Sequence, residues 1–208
     1  MINFYNIDCI EFMKSKPDKC YDLAIVDPTY GIDNKIQYHE TGNFKNRMYA
    51  KKRWDIYKPN SEYFNELRRI SKNQIVFGGN YFTDNLPESR GWFFWLKFEH
   101  NNKKYSHGEL VWTSFDKIVL HYYCQTDSRF KKTKIIHPTQ KPINVYRWIL
   151  LNYAKQGDKI IDTHGGSMSI AIACDMEGFD LDVCELDNEY FLNATKRYNE
   201  YKRQPQLL

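Results

Sequence analysis

The chain has 208 residues, enough for one domain with a substantial hydrophobic core. Hydrophobic residues make up 42% of it and aromatic residues 16%, which excludes an intrinsically disordered chain. The net charge of +4 is mild, and no apolar run approaches the roughly 18 residues of a membrane span.

Short apolar runs alternate with helical patterns along the chain. We predict strands at 22–26, 74–77, 92–96, 117–122, 159–161 and 180–184. Helical patterns fit 62–70, 143–154, 169–176 and 188–201. This alternation predicts an α/β, doubly wound fold, with helices on both faces of a mainly parallel sheet. In such sheets ligands bind beyond the carboxyl ends of the strands.

Two polar stretches interrupt this alternation, so we predict a single domain, 1–208, with insertions at about 31–60 and 99–134. Basic residues cluster in both insertions, with Tyr49, Trp54 and Phe130 among them. Such clusters suit phosphate contact and base stacking, although by themselves they equally describe a solvated loop face. The predicted DNA contacts are Arg47, Lys51, Lys52, Arg53, Arg129, Lys131 and Lys132.

The five cysteines are widely spaced and form no C-x-x-C pair, so we interpret them as reduced structural residues. The first six residues lack the basic start and apolar core of a signal peptide. We therefore expect the protein inside the cell.

Asp27-Pro28-Thr29-Tyr30 directly follows the predicted strand 22–26. The proline removes a backbone donor, so neighbouring carbonyls are left as acceptors beside the Asp27 carboxylate. A carboxylate and a carbonyl together can grip the two hydrogens of an amino group, while Tyr30 can stack on an aromatic base. An ordinary turn explains the tetrapeptide equally well when it is considered alone.

A glycine pair follows strand 159–161 and precedes a predicted helix. In the segment 162–169, Gly165 and Gly166 allow a ligand to approach the backbone, and free amides at the helix start can face its polar end. Glu185 ends the next strand about 20 residues later, where doubly wound folds place an acidic residue that binds ribose. This order of elements predicts a nucleoside site. Considered alone, the segment 137–142 is only a helix start, with Pro142 in its first turn.

These motifs together resemble the β-class amino-methyltransferases of DNA, in which the catalytic motif precedes the motif that binds S-adenosyl-L-methionine (AdoMet). Asp27 to Tyr30 is similar to the family's D-P-P-Y, and 137–142 matches its H-P-T-Q-K-P element. The segment 162–169 resembles its AdoMet loop, D-P-F-x-G-S-G-T. The likeness spans nearly the whole chain in the family's order. It implies that AdoMet contacts include Asp8, Cys9, Thr139, Gln140, Lys141, Asp162, Thr163, His164, Gly165, Gly166, Ser167, Ser169 and Glu185.

Three departures from the family motifs stand out. Thr29 replaces the second proline of the catalytic motif, while Thr163 and His164 replace Pro and Phe in the AdoMet loop. Met168 replaces a glycine of that loop. If this position requires a positive φ, we expect Met168 to weaken cofactor binding.

The resemblance implies a site-specific DNA methyltransferase of bacterial or phage origin that uses no metal. Asp27, Pro28, Thr29 and Tyr30 form its catalytic turn, and the target is the amino group of adenine in double-stranded DNA, flipped out of the helix. The alternatives are amino-cytosine, where Ser more often stands at the position of Asp27, and a DNA-binding relative without activity. RNA and protein amino-methyltransferases usually place the AdoMet motif first. The recognition sequence and any restriction partner stay open, as does a homodimer.

The chain ends Gln204-Pro205-Gln206-Leu207-Leu208. A terminal glutamine followed by paired leucines resembles the short peptides that dock in bacterial sliding clamps. Fraying of the chain end is the simpler interpretation of the same residues. A sliding clamp is thus a second candidate partner.

Overall fold

A computed structural model describes residues 1–32, 55, 57–97, 106–124 and 135–204 of the chain. The predicted clamp-binding peptide lies outside these residues from Pro205 onward. So do all seven predicted DNA contacts: Arg47, Lys51, Lys52, Arg53, Arg129, Lys131 and Lys132.

The fold is built on one eight-stranded sheet with the order β1-β8-β7-β2-β3-β5-β4-β6. Among these strands β5 alone runs opposite to the others, since it pairs antiparallel with both β3 and β4. The strands are β1 (Ile2–Tyr5), β2 (Tyr21–Val26), β3 (Ser71–Phe77), β4 (Trp92–Leu96), β5 (Gly108–Thr113), β6 (Leu120–Tyr123), β7 (Lys159–Asp162) and β8 (Asp180–Cys184).

Helices cover both faces of the sheet and form two cores, because alternate residues of each strand point to opposite sides. Leu23 and Ile25 of β2 pack with α3, α4 and α5. Ala24 and Val26 of the same strand pack with α1 and α2. The helices are α1 (Cys9–Lys14), α2 (Ser61–Ile70), α3 (Ile143–Tyr153), α4 (Ser169–Glu177) and α5 (Asn188–Lys202). The predicted α/β architecture is confirmed.

Three elements were not predicted from the sequence: β1, α1 and β5. The first two are only four and six residues long, too short for a clear period. The strand β5 lies inside the predicted insertion 99–134, as does β6, which begins at Leu120 rather than at the predicted Lys117. The polarity of this stretch therefore does not exclude it from the sheet.

The topology brings six chain segments to one edge of the sheet. The parallel strands β1, β2, β3, β7 and β8 all end there. Lys97 follows β4 at this edge, and Glu109 lies near the start of β5 because that strand runs the opposite way. Among the described residues no helix is both long and apolar enough to cross a membrane.

Candidate active site

The two central strands β2 and β7 are neighbours, so Asp27 and the glycine loop 162–169 emerge side by side. Their register pairs Leu23 with Ile160 and Ala24 with Ile161. This is the border where successive crossovers of the chain turn to opposite sides of the sheet, the usual position of a ligand site in doubly wound folds.

Both carboxylate oxygens of Asp27 accept hydrogen bonds. Oδ1 accepts from the Tyr30 hydroxyl at 2.6 Å, and Oδ2 accepts from the Lys141 ammonium at 2.5 Å. The sequence places the lysine 114 positions away, and α3 begins just after it. The structure thus joins the predicted catalytic turn to the predicted cofactor segment through an ion pair.

The catalytic turn is also tied to the chain beyond it. The Thr29 hydroxyl donates to the Tyr57 carbonyl at 2.6 Å, and the Gly31 amide donates to Asp55 Oδ1 at 2.7 Å. Asp55 is itself buried. Thr29 therefore replaces a proline with a side chain that anchors the turn, and the shape of the turn does not depend on a second proline ring.

The Tyr30 ring is clamped between neighbouring groups. It stacks on Tyr81, with ring centroids 4.7 Å apart and planes 12° from parallel. A Cβ at Gly78 would lie 2.4 Å from the Tyr30 ring, so only glycine fits there, in line with its φ of +63°. Burial and the charge of Asp27 raise the pKa of the Tyr30 hydroxyl, which therefore stays protonated as a donor.

An alternating chain of charges continues from Asp27. Lys141 also lies 3.3 Å from Glu109, and Glu109 in turn pairs with Lys97. Lys141 is 4% exposed, with its ammonium 4.5 Å from the centre of the Phe77 ring. Burial lowers the pKa of Lys141, but the charges of Asp27 and Glu109 outweigh it, and the pKa is raised.

The glycine loop is shaped mainly by backbone contacts. The Gly165 amide donates to the Cys184 carbonyl at 2.7 Å, and a Cβ at Gly165 would lie 2.8 Å from the Val183 side chain. The Gly166 amide donates to Glu185 Oε2 at 2.7 Å, with a φ of +51° at Gly166. Glu185 also accepts from the Asp187 amide, and burial raises the pKa of its carboxyl.

Met168 adopts the left-handed conformation at the start of α4, with a φ of +51°. Its side chain is 1% exposed and packs in the core beneath the loop. The position therefore does require a positive φ. The side chain occupies the core, so it leaves the space in front of the loop open.

Beyond β7 a row of polar groups replaces the apolar residues of the family motif. Asp162 is buried, and burial raises its pKa to about 8, with further contributions from the charges of Asp27 and Glu185. The Thr163 hydroxyl is hydrogen-bonded to the Tyr63 hydroxyl at 2.6 Å and to His164 Nδ1 at 2.9 Å. Burial lowers the pKa of His164 to about 4, so the ring is neutral at pH 7.

Two predicted cofactor residues, Ser167 and Ser169, face away from the open edge of the loop. Their hydroxyl oxygens lie 3.2 Å apart, and both residues are buried. Arg197 of α5 donates to the Ser167 carbonyl at 2.8 Å and to the Ser169 hydroxyl at 3.0 Å. These serines hold the start of α4 to α5.

The segment 137–142 runs across the site from Gly166 to Asp27. The His137 ring packs over Gly166, and burial lowers the pKa of this histidine to about 4. Thr139 is exposed. Gln140 accepts from the Ile136 amide at 3.1 Å, while its own amide nitrogen is buried and has no partner among the described residues.

The predicted adenine contact at Asp8 and Cys9 lies at the start of α1. Asp8 Oδ1 accepts from the amides of Ile10 and Glu11, so this oxygen caps the helix. Burial raises the pKa of the Cys9 thiol to about 12, and the charge of Glu185 adds to the rise. Cys9 thus lies close enough to Glu185 to share its electrostatic surroundings.

Sequence reasoning missed the residues that support the site from neighbouring elements. Glu109 and Lys97 lie in and next to a stretch that was interpreted as an insertion. Tyr81 follows the glycine pair after β3, which was a usable signal, because a glycine pair at a strand's carboxyl end permits close packing. Asp55 and Tyr63 carry no signal, since acidic residues and tyrosines are common in loops and amphipathic helices.

Comparison with known proteins gives a consistent result. A family model described as DNA methylase matches residues 95–196. Type II methyltransferase M2.MboI of Moraxella bovis is 24% identical over 244 aligned positions, which cover 95% of this chain and 88% of that protein.

Solved structures of DNA methyltransferases share the fold. The M1.HpyAVI-SAM complex superposes with a TM-score of 0.64 at 20% identity, covering 96% of this chain and all of that one. PvuII DNA methyltransferase, described as cytosine-N4-specific, gives 0.66 at 12% identity and covers 100% and 88%. A DNA modification methylase from Thermus thermophilus, complexed with S-adenosyl-L-methionine, gives 0.61 at 12% identity and covers 100% and 98%.

Proposed function

Since the comparisons support a DNA amino-methyltransferase, we propose that this chain transfers a methyl group from AdoMet to the exocyclic amino nitrogen of adenine in DNA. The observation that carries the proposal is the position of Asp27. Its carboxylate ends β2, directly beside the glycine loop that ends β7. A hydrogen-bond acceptor for the target and a nucleoside-binding loop are thereby adjacent.

The residues present fit AdoMet. The Gly166 amide and the Glu185 carboxylate meet at the mouth of the loop, where two vicinal ribose hydroxyls can replace the bond between them. The buried, unpartnered amide nitrogen of Gln140 offers a donor to a carboxylate. Gly165 and Gly166 present no side chain that would block the approach. Asp8 and Cys9 would border the adenine.

AdoMet, when bound, supplies an electrophilic methyl group. In the proposed mechanism Asp27 and the Pro28 carbonyl accept hydrogen bonds from the target amino group and expose the nitrogen lone pair. Asp27 also stabilises the positive charge that develops on this nitrogen, which afterwards loses a proton. The base enters by flipping and stacks on the Tyr30–Tyr81 pair. Much of the rate enhancement then comes from positioning.

Adenine is proposed over cytosine because the residue after β2 is Asp27. In the resembled family, enzymes that methylate amino-cytosine more often carry serine there. Amino-cytosine remains the second candidate, supported by the fold shared with the cytosine-N4-specific PvuII enzyme. Long-read methylome sequencing of DNA from cells expressing the protein distinguishes the two and also reports the recognition site. Detection of N4-methylcytosine instead of N6-methyladenine would contradict the proposal of adenine.

A DNA-binding relative without activity is the third candidate. Its support came from Thr29 and Met168, and both substitutions are accommodated by the backbone around them. Calorimetric titration with AdoMet separates this candidate from the enzyme. Absence of AdoMet binding to the folded protein would favour the DNA-binding relative.

The basic cluster 47–53 is proposed to contact DNA phosphates. Replacing Lys51, Lys52 and Arg53 by glutamine is expected to weaken binding to any DNA sequence. It should also reduce the slope of log affinity against log salt by roughly 2–3, because each lost phosphate contact removes about one released counterion. Fluorescence anisotropy across a salt series measures both effects, with Lys155→Gln as a control on the opposite edge of the sheet. A wild-type slope in the triple variant would exclude this cluster from the DNA interface.

The terminal segment 204–208 is proposed, with less support, to bind a sliding clamp. Pull-down of the host clamp by the full chain and by a version ending at Arg203 tests this. Equal recovery of the clamp from both, or from neither, would contradict the proposal.

A further inference from the structure

We propose that Lys141 is a positioning residue of the catalytic centre, fixing one oxygen of Asp27 so that the other is presented to the target amino group. This inference rests on the proposed function. Lys141 Nζ lies 2.5 Å from Oδ2, while Oδ1 accepts only the Tyr30 hydroxyl among the described residues. A carboxylate oxygen has two lone pairs, so Oδ1 retains one for a substrate N–H.

Lys141 acts through Asp27 rather than on the substrate. Its side chain is 4% exposed, and its ammonium is surrounded by Asp27, Glu109 and the face of the Phe77 ring. These three neighbours match the three N–H donors of a lysine. No donor is left for a base or for AdoMet.

The alternating charges explain why a cation is needed at this position. Asp27 and Glu109 approach the same ammonium from two sides, at 2.5 and 3.3 Å. Without Lys141 two carboxylates would face each other in a buried site, where like charges repel strongly. The carboxylate of Asp27, the more exposed of the pair at the end of a strand, would then rotate away. Lys97 balances the far side of Glu109.

The expected effect of removing Lys141 is therefore on the chemical step. Lys141→Met should lower the single-turnover rate of methyl transfer by about 100-fold, as expected when a catalytic group loses its position. AdoMet affinity should change by less than about 3-fold, because the interaction acts on the transition state. The assay measures incorporation of radiolabelled methyl groups into unmethylated genomic DNA.

A buried ion pair that loses one partner can prevent folding, so a second variant is needed. Lys141→Met combined with Glu109→Gln removes one cation and one carboxylate, and the remaining Asp27 and Lys97 balance each other. This double variant should fold and bind AdoMet but remain slow. A wild-type rate in either folded variant would overturn the proposal.

A spectroscopic measurement tests Lys141 independently of activity. The Tyr30 hydroxyl proton, hydrogen-bonded to Asp27 at 2.6 Å, should give a protected downfield proton resonance in the wild type. Tyr30→Phe assigns this resonance by removing it. In the double variant it should disappear through exchange with water, because Asp27 is no longer held. A resonance that persists would overturn the positioning role, whereas a wild-type protein inactive on DNA would contradict only the proposed function.

Discussion

The catalytic turn and the glycine loop lie side by side, but they are held in different ways. The turn depends on polar side chains distant in sequence: Asp55 lies 24 positions from its partner, Tyr57 28 and Lys141 114. The glycine loop depends on backbone bonds, left-handed residues and one carboxylate 19 positions away.

This difference separates two kinds of substitution. A change in the catalytic turn removes charge and acceptors while the sheet beneath it is preserved. A change in the glycine loop alters backbone geometry or the fit of the core below it. The first kind should affect the chemical step, and the second should affect cofactor affinity or stability.

The largest expected effect is at Asp27. Asp27→Ala should lower methyl transfer by about 1000-fold or more, because it removes the acceptor for the target amino group. AdoMet affinity should stay within about 3-fold of the wild type. Asp27→Asn keeps the size of the side chain and one acceptor oxygen, and we expect an intermediate rate.

The Asp27 variants require a check of folding, since Lys141 keeps only Glu109 as a counter-ion in the alanine protein. Circular dichroism and calorimetric binding of AdoMet provide it. Near-normal turnover by a folded Asp27→Ala protein would exclude the carboxylate from catalysis.

The sequence predicted the glycine loop better than the catalytic turn for a physical reason. Gly165, Gly166 and Glu185 act through short-range geometry that follows from strand, turn and helix order. The ion pair of Lys141 with Asp27, and that of Glu109 with Lys97, exist only because an antiparallel strand brings β5 to the same edge of the sheet. No local pattern reports that pairing.

The second largest effect concerns Glu185. Glu185→Ala should raise the AdoMet dissociation constant by about 10-fold or more, given roughly 1.5–3 kcal/mol for a hydrogen bond to a charged group. Glu185→Gln tests whether charge or loop anchoring matters, since an amide oxygen can still accept from Gly166. Glu200→Ala, on the exposed side of α5, serves as the surface control. Unchanged calorimetric affinity in Glu185→Ala would show that the ribose is bound elsewhere.

Asp162 tests the glycine loop through pH. Burial raises its pKa from 3.8 to about 8, so the folded state holds the proton more tightly than the unfolded state does. Stability contributed by the neutral form is complete at low pH and is lost as pH rises through about 4 to 8. Asp162→Asn cannot titrate.

We therefore expect the wild type to lose on the order of 1–2 kcal/mol more stability than Asp162→Asn between pH 6 and pH 8. Urea unfolding of both proteins at the two pH values measures this difference. The comparison uses the change with pH, which cancels any constant cost of burying the asparagine amide. Equal pH dependence in the two proteins would mean that Asp162 is already charged at pH 6.

The smallest effect, and the most specific to the glycine loop, is at Met168. A non-glycine residue in the left-handed region costs about 1–2 kcal/mol, and burial of a methionine side chain contributes roughly 1.5–3 kcal/mol. The two terms nearly cancel, which explains how methionine replaces glycine there. Met168→Ala keeps the strain and loses the burial, whereas Met168→Gly loses both.

Met168→Gly should therefore be more stable than Met168→Ala by about 1 kcal/mol, the reverse of the usual order of these residues near a helix. Both should be less stable than the wild type in urea unfolding, because the side chain fills the core. Both should bind AdoMet within about 2-fold of the wild type, since the backbone shape of the loop is preserved. An alanine protein more stable than the glycine protein would mean that Met168 is unstrained. A large loss of AdoMet affinity in either would mean that its side chain shapes the cofactor site.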